Sequence, residues 1–140
     1  MYNKILVPTD GSEGSKIALE HAKGLAEKYS SEIHLLYVAD VRTHNTGEII
    51  PNLVAELEKI GEESIESMKE SLEGVEGIKD SVIKGIPHRE INDYADEKDI
   101  DLIVMGTHGR TGLDRILLGS VTEKVVRTSN VPVMTVGRED

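Results

Sequence analysis

The sequence predicts an α/β fold: a mostly parallel sheet with helices on both faces. Three observations carry that expectation. Short apolar runs alternate from end to end with segments whose apolar residues recur at helical spacing, and each parallel connection needs such a crossover. Two of the runs, Lys4 to Val7 and Leu102 to Met105, are apolar without alternation, as strands buried on both faces are. The two stretches with no periodicity, Asp40 to Ile50 and Gly106 to Gly119, both follow strands, on the side where open α/β sheets keep their ligand loops. The chain has 140 residues, 38% of them hydrophobic and 30% charged, enough for one core in a single domain spanning residues 1–140.

Each element has its own signal. The first strand, Lys4-Ile5-Leu6-Val7, ends in Pro8-Thr9-Asp10-Gly11-Ser12, which opens a helix striped by Ile17, Ala18, Ala22, Leu25, Ala26 and Tyr29. The second strand runs from Ile33 to Ala39. Arg42, His44, Asn45, Thr46 and Gly47 follow it in a turn-prone segment expected to be mobile without a ligand. The second helix carries the stripe Leu53, Leu57, Ile60, Ile65, Met68 and Leu72, and its acidic run, Glu56 to Glu76, reads as a solvated face. The third strand, Ile78 to Lys84, is the most polar and alternates, which places it at an edge. Pro87 stands near the first position of a short third helix marked by Ile91, Tyr94 and Ala95. The fourth strand, Asp101 to Met105, leads to a helix over Ser120 to Ser129, where Ser120-Val121-Thr122-Glu123 fits a capping box. Val131 to Val136 is the fifth strand. With four Tyr, no Phe and no Trp, the core is aliphatic.

Composition excludes several classes of function. Sixteen Lys and Arg against 26 Asp and Glu give a net charge of −10, so nucleic acid and anionic membranes are poor partners. The absence of Cys removes disulfides and thiol chemistry. The longest apolar run, Leu35 to Ala39, is far too short to span a bilayer, and Met1-Tyr2-Asn3-Lys4 leads straight into a strand with no room for a signal peptide. The expected compartment is the cytoplasm.

The densest chemical signal lies between Gly106 and Ser120. Glycines at 106, 109, 112 and 119 bring main-chain N–H groups within reach of a ligand, and the helix that follows adds the positive end of its dipole. That is a phosphate cradle, though neither a Walker A loop nor a G-x-G-x-x-G turn. The plainer reading is a long turn whose glycines serve geometry alone, with Ser120 as an N-cap. Asp10 also has two readings: a carboxylate that holds ribose hydroxyls, or an N-cap in the box-like Asp10-Gly11-Ser12-Glu13. A receiver-type phosphoacceptor would want acidic residues just ahead of it, and Leu6-Val7-Pro8 supplies none. His21, His34, His44, His88 and His108 show no metal-ligand spacing, and only His108 lies in the glycine segment.

Taken in order, these pieces resemble the universal stress protein family over essentially the whole chain. The resemblance rests on Ile5-Leu6-Val7-Pro8-Thr9-Asp10-Gly11-Ser12, on Gly85-Ile86-Pro87, and on Gly106, Gly109, Gly119 and Ser120 at the spacing of the nucleotide-binding members. It rests also on Ser120 to Val126 followed by Val131-Pro132-Val133-Met134-Thr135-Val136. It implies an open five-stranded parallel sheet of order 3-2-1-4-5 and an adenine nucleotide, ATP or AMP, at the switch point. Asp10, with Pro8 and Thr9 beside it, would hold the ribose, and the main chain near Val38 would read the adenine edge. Gly106, Gly109, Gly119 and Ser120 would hold the phosphates, with Met105 and Val121 lining the site and room for Mg²⁺ through the phosphate oxygens. It implies a homodimer joined through the last strand, and a sensor or regulator in the stress response. No catalytic base is evident, so binding is better supported than catalysis, and slow ATP hydrolysis stays open. The alternatives are a dimeric protein–protein interaction module with a structural glycine loop, and a transferase, for which synthetase-like signatures are missing.

Overall fold

The computed structural model describes residues 1–42, 51–107 and 119–137. Within them are β1 (Lys4–Thr9), α1 (Glu13–Tyr29), β2 (Glu32–Asp40), α2 (Pro51–Ser71), β3 (Ile78–Gly85), α3 (Pro87–Glu97), β4 (Leu102–Gly106), α4 (Ser120–Thr128) and β5 (Val133–Val136). The strands form one sheet in the order β3-β2-β1-β4-β5, and every neighbouring pair is parallel. Polar β3 lies at an edge and the apolar β1 and β4 lie inside, as alternation predicts.

The pleat divides the core into two layers. Ile5, Val7, Ile33, Leu35, Leu102 and Val104 face α1 and α2, packing on Ala18, Ala22, Ala26, Ile65 and Met68. Leu6, Leu36, Ile103 and Met105 face α3 and α4, packing on Ile91, Tyr94, Ala95 and Val125. The two crossovers that start from neighbouring β1 and β4 therefore diverge to opposite faces, and a crevice opens between those strand ends.

Glycine makes two of the close contacts. A Cβ at Gly61 would lie 2.5 Å from the ring of Tyr37, so α2 can cross that ring only without a side chain there. A Cβ at Gly106 would lie 2.7 Å from the carbonyl carbon and oxygen of Gly14, where the end of β4 meets the start of α1.

Several local expectations need correction. The N-cap of α1 is Ser12, whose hydroxyl accepts from Ser15 N–H, and not Asp10. The N-cap of α4 is Gly119, which makes no side-chain cap bond; Ser120 is already helical, and Glu123 pairs with Arg127 instead of closing a capping box. Tyr29, at 39% exposure, leaves its stripe for an edge-on contact with Tyr2, and Leu53 is exposed at the start of α2. The fifth strand begins only at Val133: Pro132 has no N–H to give a ladder, and only its carbonyl takes part, accepting from Ile103 N–H. Residues 43–50, and with them most of the segment expected to be mobile, lie outside the described residues.

Candidate functional site

The crevice is assembled from three short pieces of chain. The first is the turn after β1. Asp10 Oδ1 accepts from Ser12 N–H at 2.9 Å and from the Ser15 hydroxyl at 3.0 Å, while Asp10 N–H donates back to Ser15 Oγ at 3.2 Å. Gly11, with φ of +82°, closes the turn by donating its N–H to Thr9 Oγ1. The carboxylate is thus fixed through one oxygen, and among the described residues Oδ2 has no protein donor. Instead of capping the helix, Asp10 is itself held by the cap residues.

The second piece is the end of β2. The β1–β2 ladder stops at Thr9 and Tyr37, whereas β2 continues to Asp40 against β3 alone. Glu32 N–H bonds to Asn3 C=O on the β1 side, and Ile33 N–H bonds to Gly77 C=O on the β3 side. Even-numbered residues of β2 therefore direct their main chain toward β1. By that parity the Val38 carbonyl points past the last β1 pair. The next donor of the ladder would be Gly11, whose N–H is turned to Thr9 Oγ1.

The third piece joins β4 to α4. Gly119 N–H bonds to Thr107 C=O, and the Thr122 hydroxyl donates to Gly106 C=O at 2.9 Å, which ties the start of α4 to the end of β4. Val38, Met105 and Val121 all belong to the layer facing α3 and α4, so the sheet brings together three residues far apart in sequence. Pro8 and Thr9 are buried beneath, and Ser120 is exposed at the first turn of α4. Gly106 is glycine for a different reason from the one its motif suggests: its missing side chain faces Gly14, in the opposite layer. Gly109, Gly112 and His108 lie outside the described residues.

Sequence reasoning missed a buried polar cluster near the amino end of β2, away from the crevice. His34, 4% exposed, bonds through Nε2 to Glu32 and through Nδ1 to the Tyr94 hydroxyl, both at 2.6 Å. A carboxylate only accepts, so Nε2 carries the proton and Nδ1 accepts from Tyr94. Burial holds the His34 pKa below its usual value against the opposing pull of Glu32, and burial raises that of Tyr94.

Known proteins are similar in sequence and fold over the whole chain. The model of the universal stress protein family matches residues 1–137. The chain belongs to the universal stress protein family. Universal stress protein MJ0577 from Methanocaldococcus jannaschii is 42% identical, over 100% of this chain and 98% of its own length. Its solved structure superposes with a TM-score of 0.88 at 43% identity, covering 100% and 99% of the two chains. UspA from Lactobacillus plantarum superposes at 0.83 with 29% identity, covering 96% and 97%. The universal stress protein fold with sheet order 3-2-1-4-5 is therefore established. Among the described residues no helix is long and apolar enough to cross a membrane.

Proposed function

We propose that this universal stress protein is a cytoplasmic adenine-nucleotide-binding sensor or regulator, with ATP or AMP held in the crevice between β1 and β4. The observation that carries the reading is the bared end of β2. A main-chain carbonyl at Val38, pointing past the end of β1 between apolar walls, is an acceptor of the kind the adenine amino group meets; guanine offers a carbonyl at the same position. Asp10 supports it, because no donor among the described residues reaches Oδ2, which can accept from ribose hydroxyls while Oδ1 holds the carboxylate in place. The start of α4 has no side-chain cap, so its first-turn N–H groups from Ser120 onward are placed to meet phosphate, with Val121 and Met105 as the apolar lining. A phosphate-bound Mg²⁺ would reach the protein only through such a nucleotide.

Members of the fold at lower identity were solved with nucleotides: a universal stress protein with cAMP, and one from Archaeoglobus fulgidus with dAMP. At 24% and 23% identity they add the fold and no ligand to the case for this chain. The packing of Gly106 on Gly14 favours one part of the alternative reading, in which the glycine segment is structural and the protein is a dimeric interaction module. Both readings share a homodimer through β5, an apolar edge whose pairing about a two-fold axis would satisfy both rows of backbone groups.

Mass spectrometry of small molecules released on denaturing the purified protein tests the reading. Release of ATP or AMP near one per chain is expected. An extract free of adenine nucleotide, together with no retention of added ATP on dialysis, would leave the interaction module as the better account.

A further inference from the structure

A chain of net charge −10 that takes up a polyphosphate needs cations close to where the phosphates emerge. The fold gathers such a group at the top of the seam between α3 and α4. Both helices start at the carboxyl end of the sheet, and Asn92 Nδ2 donates to Thr128 Oγ1 at 2.7 Å across the seam. One turn nearer the starts of the two helices stand His88 and Lys124, close enough for the Lys124 charge to act on the His88 ring. Asp40 is in register with Gly85, so the start of α3 at His88 and Arg89 also lies beside the end of β2, where Arg42 stands.

The carboxylates nearby are largely committed elsewhere. Arg42 forms a two-pronged ion pair with Asp40, at 2.9 and 2.6 Å, and Glu123 pairs with Arg127 along α4. Glu90 lies under Gly85. Among the described residues, His88, Arg89 and Lys124 make no ion pair.

We propose that His88, Arg89 and Lys124 form a cationic rim that takes the outer phosphates of the nucleotide, so that the site prefers ATP to AMP. The inference rests on the nucleotide reading and adds to it which part of the ligand the protein discriminates. The state of His88 gives it a second signature. Burial, then the charges of Lys124, Arg89 and Arg42, holds the His88 pKa below its usual value, so the imidazole is mainly neutral at pH 7. An anion seated among these cations reverses that balance. ATP binding therefore takes up a proton, and its affinity rises as pH falls through the range near 6.5.

The test measures ATP, AMP and adenosine affinities by calorimetry for the wild type, Lys124→Met and His88→Gln. Lys124→Met should weaken ATP about tenfold or more, with AMP and adenosine little changed. ATP binding by the wild type near pH 6.5 should take up protons, read from the buffer dependence of the heat, and His88→Gln should abolish the uptake. Equal weakening of ATP and AMP, or no weakening, overturns the rim. Inorganic tripolyphosphate keeps this separate from the base-reading claim. If no nucleoside binds, a shift of the His88 ring resonances on adding tripolyphosphate, weaker in Lys124→Met, still supports the rim, and an unmoved His88 refutes it.

Discussion

Replacing Gly106 by Ala should destabilise the protein with no ligand present. The added Cβ would lie 2.7 Å from the carbonyl carbon and oxygen of Gly14 and 2.9 Å from its Cα. Ordinary contact begins near 3.4 Å, so α1 and the end of β4 must part by roughly 0.5–0.7 Å. All three obstructing atoms are backbone, and no rotamer change relieves them. A gap of that size forfeits about a quarter to a half of the dispersion energy for each atom pair it separates. The tight packing of Ala18 and Ala22 against β1 and β4 is the first to feel it. Overpacking of this kind costs about 1–3 kcal/mol, which moves a urea midpoint by about 1 M at an m-value near 2 kcal/mol/M. Urea denaturation followed by circular dichroism, on wild type and variant without nucleotide, is the assay. A midpoint within about 0.2 M of wild type, at unchanged m, would refute the packing role of Gly106.

Other outcomes follow from particular contacts. Gly119 has φ of −58°, which any residue adopts, so Gly119→Val should change stability by less than about 1 kcal/mol while weakening ATP at least about tenfold; unchanged ATP affinity in calorimetry would remove α4 from the phosphate site. The folded-state pKa of His34 is lowered, so the unfolded chain binds the extra proton first as pH falls; the contribution of His34 to stability is intact above about 6.5 and is lost below it. Urea midpoints between pH 8 and 5 should show that loss shrinking in His34→Gln, and an identical pH dependence in the two proteins would contradict it. Light scattering at micromolar concentration should give twice the 15.4 kDa chain mass, and a lone 15.4 kDa species would rule out pairing through β5.

What could be read from the sequence was what local pattern determines. The alternation in Ile78 to Lys84 put β3 at an edge, and the unbroken apolar runs at Lys4 to Val7 and Leu102 to Met105 put β1 and β4 inside. The caps were misplaced for a local reason too. Asp10 and Ser12 both suit an N-cap, and the choice turned on Ser15, whose hydroxyl holds Asp10 and leaves Ser12 to the helix. At α4 the cap is a glycine, which has no side chain to announce it. Long-range contacts were out of reach. The Gly106 motif pointed to phosphate, and only α1 arriving across the sheet reveals that its side chain is forbidden by Gly14. The His34–Tyr94 bond spans 60 residues, and neither residue carries a local sign of the other. The site stands between these cases. Strand parity already places Val38 and Met105 on one face, but the early end of β1 that bares the Val38 carbonyl is a property of the ladder.

If the bared end of β2 reads adenine, the site must separate ATP from GTP. Calorimetric titration of one nucleotide-free preparation with ATP and with GTP tests it most directly. Guanine would set its carbonyl against that of Val38, and an unpaired buried polar group costs about 1–3 kcal/mol. ATP should therefore bind at least about tenfold more tightly than GTP. Equal affinity for the two, or no affinity for either, would contradict it.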